Sequence, residues 1–319
     1  MNKDIRDIRI CVVGAGFAGS LHLEKLSKLG CRIIGVCDKE TEKAESAAAR
    51  FNTKPFQNHQ ELLPLCDAAI VATDTSSHFE IASEFIREGK DVFIEKPLAK
   101  SYDEGKKIVE NAKKKGVILQ IGHIERFNSV YKSVREIISH PSFISSERLS
   151  PFPSRSIDTD VILDVMIHDL DTIASVLPNL SVKRVEAIGI PIITDKIDIA
   201  NVRIEFSSGC IAILTSSRVS YKKVRKFRIF QPDMYISMNF LERQVEIYKR
   251  TRNGKSFEIS GSVKTFTNGD PIEEEITEFL NCIVERKRPE VSGDEALKSL
   301  ELADKIKESI ITLPENLTG

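Results

Sequence analysis

The chain has 319 residues, 41% of them hydrophobic, with 46 Lys+Arg against 47 Asp+Glu for a net charge of −1. At about 150 residues per domain that length predicts two domains, and the apolar fraction excludes a disordered or fibrous chain. The balanced charge argues against a nucleic-acid partner and against a solvating acidic protein. Six scattered cysteines with no C-x-x-C pair are expected to be reduced, mostly in the core. The charged start MNKDIRDIRI does not read as a signal peptide, and no apolar run approaches the ~18 residues of a membrane span. A cytoplasmic protein with no membrane partner is expected.

Taken in chain order, the first 120 residues alternate short β-rich runs with helical patterns. Strands are predicted at 8–13, 32–37, 68–72, 91–94 and 117–121, and helices at 23–29, 43–50, 78–87 and 102–115. Ser77 with Glu80 and Ser101 with Glu104 have capping-box spacing. This alternation predicts right-handed crossovers and a doubly wound parallel domain over residues 1–122. The rhythm then changes. A helix at 129–139, a strand at 143–149, a Pro/Ser-rich loop and a helix at 161–176 lead into strand-like runs at 182–190, 197–206, 210–216, 224–230 and 243–248. Ile272, Ile276, Phe279 and Ile283 then form one helical stripe, and Ala303, Ile306 and Ile310 another. Residues 123–319 are therefore expected to form an α+β domain with a large, mainly antiparallel open sheet. The fold class is α/β in the first domain and α+β in the second.

Val13 leads into Gly14-Ala15-Gly16-Phe17-Ala18-Gly19, a G-x-G-x-x-G between a predicted strand and a predicted helix. The first glycine suits a tight turn, the second a close approach of backbone N–H groups to a pyrophosphate, and the third close helix–sheet packing. Asp38 follows Gly19 by 19 residues, where a carboxylate would bind ribose hydroxyls and repel a 2′-phosphate. The first domain therefore reads as a Rossmann domain that prefers NAD. Lys39 beside Asp38 would tolerate a phosphate, so NADP stays open. Cofactor contacts are expected from Gly14, Gly16, Phe17, Ala18, Gly19, Asp38, Thr73, His78, Glu95 and Lys96, although an N-terminal helical His78 is as often structural.

Two segments suit hydride transfer from an alcohol. Glu95-Lys96-Pro97 ends the fourth predicted strand, the edge where open α/β sheets bind ligands, and Pro97 favours an extended backbone at Lys96. Asp164 and His168 stand four apart on a predicted helix among apolar residues, sharing a face as an imidazole and its orienting carboxylate would. On these residues alone, a surface lysine and a structural core His–Asp pair remain open. A metal site lacks a third ligand cluster. In the catalytic reading His168 is the general base, Lys96 stabilises the developing alkoxide and Asp164 orients His168. The basic run from Tyr221 to Arg228 alternates along a strand and reads as a solvated or interface strand.

With GAGFAG, EKP and D-x-x-x-H in this order and spacing, the sequence resembles the glucose–fructose oxidoreductase / inositol dehydrogenase / MocA (Gfo/Idh/MocA) family nearly end to end. The closing SGDEALKSLELADKIKESI adds to the likeness. The resemblance implies catalytic Lys96, Asp164 and His168, and an open sheet that builds a homodimer or homotetramer. Thr159–Leu163 replaces the glycine-rich turn frequent in the family and leaves the local backbone open. Gly122-His-Ile-Glu-Arg-Phe-Asn128 together with DVMIHDLD resembles a nucleotide-sugar 3-dehydrogenase subgroup. That likeness implies oxidation of C3 of a nucleotide-linked sugar such as UDP-N-acetylglucosamine, in functional pairing with an aminotransferase. Substrate contacts would then come from Lys96, Glu125, Arg126, Asn128, Arg155, Asp164 and His168, with an interdomain salt bridge as the other role open to Arg126. A free inositol-like polyol and a non-catalytic NAD(P)-binding sensor are the competing readings.

Overall fold

The computed structural model describes residues 4–152, 158–177, 179–254 and 256–311, and divides them into two compact units. The first unit opens with β1 (Arg9–Val13), α1 (Phe17–Lys28), β2 (Arg32–Cys37), α2 (Thr41–Arg50) and β3 (Pro55–Phe56). It continues through β4 (Ala68–Val71), α3 (Thr75–Arg87), β5 (Asp91–Glu95), α4 (Tyr102–Lys115) and β6 (Leu119–Gly122). All its strand pairs are parallel, in the order β3-β2-β1-β4-β5-β6. Every residue of β4 and β6 is buried, as a sheet covered on both faces requires. Helix α4 shows how local sequence sets an element. Ser101 accepts the Glu104 N–H at its start, three lysines face the negative end of its dipole, and Gly116 closes it at φ +65°. The Ser77 cap is corrected: α3 starts three residues earlier, at Thr75 after Asp74.

The second unit holds the four-residue helix α5 (Ser129–Lys132), β7 (Phe143–Leu149), α6 (Ile167–Val176), β8 (Val182–Ile190), β9 (Ile199–Phe206), β10 (Ile211–Ser217) and β11 (Val224–Gln231). Strands β12 (Met234–Asn239), β13 (Gln244–Asn253) and β14 (Ser256–Thr265) follow. After α7 (Pro271–Glu285) and α8 (Gly293–Ser309), β15 (Ile310–Ile311) completes a nine-stranded sheet in the order β14-β13-β12-β11-β7-β10-β9-β8-β15. Six of its pairings are antiparallel, whereas β10 with β7 and β15 with β8 are parallel. Strands β7, β9 and β10 alternate between buried and more accessible residues, the pattern of a sheet with one covered face.

The domain division differs from a single cut near residue 122. Residues 270–300 belong with the first unit, and the chain divides again after Leu300 inside α8. The cause is the stripe on α7: Ile276, Phe279, Leu280 and Ile283 join the core built from Ile8, Ile10, Val12, Leu23, Leu26 and Phe93. Phe279 packs edge-on against Phe93 at 5.8 Å between ring centres.

The other face of the large sheet carries an aromatic row. Phe143, Phe230, Tyr235 and Tyr248 sit directly opposite one another across β7, β11, β12 and β13, with ring centres 5.3, 4.9 and 6.3 Å apart. Tyr248 stands opposite Gly261 of β14, where an added Cβ would come within 2.9 Å of its ring. By the two-residue strand period, Phe257, Ile259 and Val263 share this face. Tyr248 is 57% exposed and Ile259 74%.

Candidate active site

The turn after β1 is forced by its glycines. Gly14 has φ +100°, and a Cβ there would stand 2.3 Å from the Ala72 carbonyl oxygen. A Cβ on Gly19 would lie 1.8 Å from the Gly14 carbonyl oxygen, so only glycine lets α1 approach the turn. Gly16 is different, because a Cβ there would meet nothing within 4 Å. It begins α1 without a side-chain cap, and the open space beside it at this helix N-terminus fits a dinucleotide pyrophosphate. Asp38 closes the turn from β2: its carboxylate accepts from Ala15 N–H at 2.7 Å and Glu40 N–H at 2.9 Å. Lys39 pairs with Asp74 at 3.2 Å. The nearby Cys37 thiol is pushed up to about 12 by burial and then by Asp38 and Glu61, so it stays protonated. Two substitutions separate fold from cofactor. Gly16→Ala is expected to leave the melting temperature unchanged while raising the NADH Kd about tenfold. Gly19→Ala is expected to cost about 1–3 kcal/mol of stability from overpacking, measured by thermal melting and calorimetric titration.

The ends of β4 and β5 bring Thr73, His78, Glu95 and Lys96 to the same carboxyl edge of the sheet. His78 is buried, with Nδ1 2.9 Å from the Pro97 carbonyl and Nε2 3.1 Å from the Thr73 carbonyl, so its ring ties these two segments together. Glu95 and Lys96 are half-buried, and the Lys96–Pro97 peptide is cis. Burial pushes the Glu95 carboxyl up, but the His22 hydrogen bond and charge, with Lys96, outweigh it and hold the group below its ordinary value.

In the second unit, Asp160 caps the helical segment that carries Asp164 and His168. Its Oδ1 accepts from Ile162 and Leu163 N–H at 2.9 and 3.0 Å and so starts the helix. The segment that follows is not regular: Ile162–Met166 is a π-helical turn ahead of α6. Asp164 lies in this turn and His168 in the first turn of α6, so the pair spans the junction of the two. Among the buried residues from Val161 to Ala174, only Asp164, Val165 and His168 are partly exposed. The polar pair therefore sits where a ligand can reach it.

Glu125, Arg126 and Asn128 lie in a buried ionic cluster. Arg148 donates to Glu125 at 3.0 Å and to Asp169 at 2.8 and 3.1 Å, Arg126 donates to Asp171 at 2.7 Å, and Asn128 donates to Glu125 at 3.1 Å. The five hydrogen-bonded charges Glu125, Arg126, Arg148, Asp169 and Asp171 are almost inaccessible. Burial opposes the Arg148 charge, and Asp169 and Glu125 more than compensate, raising its pKa. Asp169 adjoins His168, so the cluster braces the helix that presents it. Arg126 does form an ion pair, but with Asp171 inside the second unit, not the interdomain salt bridge expected from the sequence. Arg155 lies outside the described residues. Sequence reasoning missed His22 and Arg148, whose partners are distant in the chain and leave no local signal. Among the described residues no group of three or more His, Cys, Asp or Glu side chains is placed to hold a metal ion.

Residues 8–123 match the family model described as an oxidoreductase family with an NAD-binding Rossmann fold. The chain is 34% identical over 280 residues to the UDP-N-acetylglucosamine 3-dehydrogenase of Acidithiobacillus ferrooxidans, covering 86% of this chain and 88% of that protein. It belongs to the Gfo/Idh/MocA oxidoreductase family. The solved structure of that dehydrogenase superposes with a TM-score of 0.88 at 31% identity, over 95% of this chain and 97% of that one. The scyllo-inositol 2-dehydrogenase (NAD(+)) of Bacillus subtilis is 27% identical over 318 residues, covering 92% of each chain. Levoglucosan dehydrogenase in complex with NADH shares the fold, with a TM-score of 0.82 at 18% identity over 95% of this chain and 96% of that one. As a Gfo/Idh/MocA member the chain is an NAD-dependent sugar oxidoreductase that acts on CH–OH groups. No described helix is long and apolar enough to cross a membrane.

Proposed function

We propose that this oxidoreductase removes hydride from C3 of a nucleotide-linked sugar, UDP-N-acetylglucosamine being the first candidate, to give a 3-keto sugar. The observation that carries the reading is the 34% identity, across most of both chains, to a UDP-N-acetylglucosamine 3-dehydrogenase. Bound NAD supplies the hydride acceptor. The chain's own residues handle the proton. His168, oriented by Asp164, takes the hydroxyl proton as general base, and the Lys96 ammonium holds the oxygen and stabilises its developing negative charge. The uncapped N-terminus of α1 and the carboxylate of Asp38 hold the cofactor. A ketone product is a natural substrate for an aminotransferase, which would draw an uphill oxidation forward.

The test is the near-ultraviolet absorbance of reduced nicotinamide when the protein meets NAD and UDP-N-acetylglucosamine with an amine trap or a partner aminotransferase. Growth of NADH with that substrate, and not with free N-acetylglucosamine or inositol, is expected. A flat trace would overturn the nucleotide-sugar assignment. Turnover of inositol instead would favour the second reading, which the 27% identity to an inositol dehydrogenase supports.

The same proposal includes a homodimer or homotetramer built on the exposed face of the large sheet. Its aromatic row and the neighbouring Phe257, Ile259 and Val263 form an apolar patch that ends at edge strand β14, the kind of surface that pairs with another copy. Light scattering of Ile259→Glu against the parent chain measures the subunit number, and the variant is expected to fall to a smaller assembly.

A further inference from the structure

His22 lies on the buried side of α1, 2% exposed, and belongs to neither the glycine turn nor the EKP segment. Its Nε2 is 2.6 Å from Glu95 Oε1, while Glu95 Oε2 accepts the Lys96 backbone N–H at 3.2 Å. A carboxylate only accepts, so Nε2 carries the hydrogen. Nδ1 is buried and makes no hydrogen bond among the described residues, so Glu95 is the ring's only described hydrogen-bond partner. The ring packs edge-on against Phe93 of β5 at 5.1 Å. The carboxylate is closed in from β6 as well, since a Cβ on Gly122 would stand 3.0 Å from Oε2. One carboxylate thus joins the cofactor-binding helix to the main chain of the lysine at the end of β5.

We infer that His22 is a positioning residue: by holding Glu95 it sets the backbone at Lys96 relative to the helix whose N-terminus receives NAD. The inference rests on the proposed role of Lys96, and it predicts a loss in the chemical step without a matching loss in binding. The hydrogen bond from His22 fixes the second oxygen of the carboxylate that holds the Lys96 N–H, and a misplacement of Lys96 by a fraction of an ångström is enough to slow a reaction that depends on alignment.

The test compares His22→Leu, which removes the donor, with His22→Gln, whose side-chain amide can still donate to Glu95. In His22→Leu, kcat is expected to fall at least tenfold, with the sugar KM and the calorimetric NADH Kd within about twofold of the parent. In His22→Gln most of that kcat should return. A His22→Leu variant that binds NADH and keeps parental kcat would overturn the inference, and so would a glutamine variant no better than leucine. A second readout does not depend on turnover. The Nε2–H proton of His22, identified by its loss in His22→Leu, should appear as a slowly exchanging NMR resonance that shifts when NADH is added. A resonance indifferent to NADH would overturn the coupling even if the sugar substrate proves to be another one. Absence of turnover in the parent chain together with an NADH-dependent shift would instead fault only the substrate assignment.

Discussion

Replacing Lys96 by methionine is expected to lower turnover by about three orders of magnitude while leaving the NADH Kd within about threefold. Methionine keeps much of the length of the lysine side chain and lacks the charge, so packing at the end of β5 should survive. On the proposed mechanism what disappears is the ammonium that stabilises the developing alkoxide, and removing one such group costs about 10²–10³ in rate. Loss of its hold on the reacting hydroxyl adds to this. Initial rates of NADH formation and calorimetric titration of NADH decide the matter. Equal turnover by the two proteins would remove Lys96 from the mechanism, and a lost NADH affinity would make it a cofactor ligand first.

The largest stability effect is expected at Arg218, which is completely buried with Asp198. Its Nε donates to Asp198 at 2.8 Å, its Nη1 to the Thr159 carbonyl at 2.7 Å and its Nη2 to the Thr194 hydroxyl at 3.0 Å. Asp198 also receives three backbone N–H groups, from Ile192, Ile193 and Thr194. Arg218→Met strands that carboxylate, and breaking a buried pair from one side costs about 3–5 kcal/mol. At about 2–4 °C per kcal/mol for a protein of this size, the melting temperature should fall by roughly 10 °C. The double variant Arg218→Met/Asp198→Asn should recover part of the loss, because the stranded charge is gone. The pH dependence has a definite sign. Burial raises the Asp198 carboxyl, but the three amides and Arg218 outweigh it and hold the group far below its ordinary value. Its contribution is therefore complete above about pH 4 and is lost as the pH falls through the folded value. Thr159 immediately precedes the Asp160 cap, so the same substitution should loosen the entry to the His168 helix and lower kcat as well as stability.

Much of the cofactor side was legible in the sequence because its signals are local. The spacing of Gly14, Gly16 and Gly19, the acid at the end of β2 and the lysine at the end of β5 all follow from strand–turn–helix grammar, and β2, α4, β7 and β8 match their predicted spans. Strand β14 escaped because it is exposed at every position and Gly261 interrupts the alternation of Phe257, Ile259 and Val263. Strand β12, MYISMN, is apolar on most positions and too short to show a period. The π-turn at Ile162–Met166 inserts a change of period that a run with one polar residue, Asp164, cannot reveal. The partners of Glu95, Asp169 and Asp198 are chosen across 73, 21 and 20 residues of chain, and nothing local announces such choices. The same distance hid the buried cluster around Glu125, Arg126 and Asn128. Their residue types read equally well as ligands for a polar substrate or as charges for one another, and only burial distinguishes the two.

The return of α7 to the first unit makes order of synthesis matter. Strand β6 leaves the ribosome long before Pro271, and at about 10 residues per second the delay is roughly 15 s. Throughout that interval the nascent parallel sheet lacks the Phe279 and Ile283 that fill its core, so its apolar residues around Ile8, Leu26 and Phe93 are open to chaperones and to neighbouring chains. The second unit, whose sheet is nearly complete by Thr265, emerges in time to fold before the cofactor domain that precedes it in sequence. A chain stopped at residue 269 should therefore accumulate as protease-sensitive, aggregation-prone material, and the capacity to hold NAD should arise only as the last 50 residues arrive.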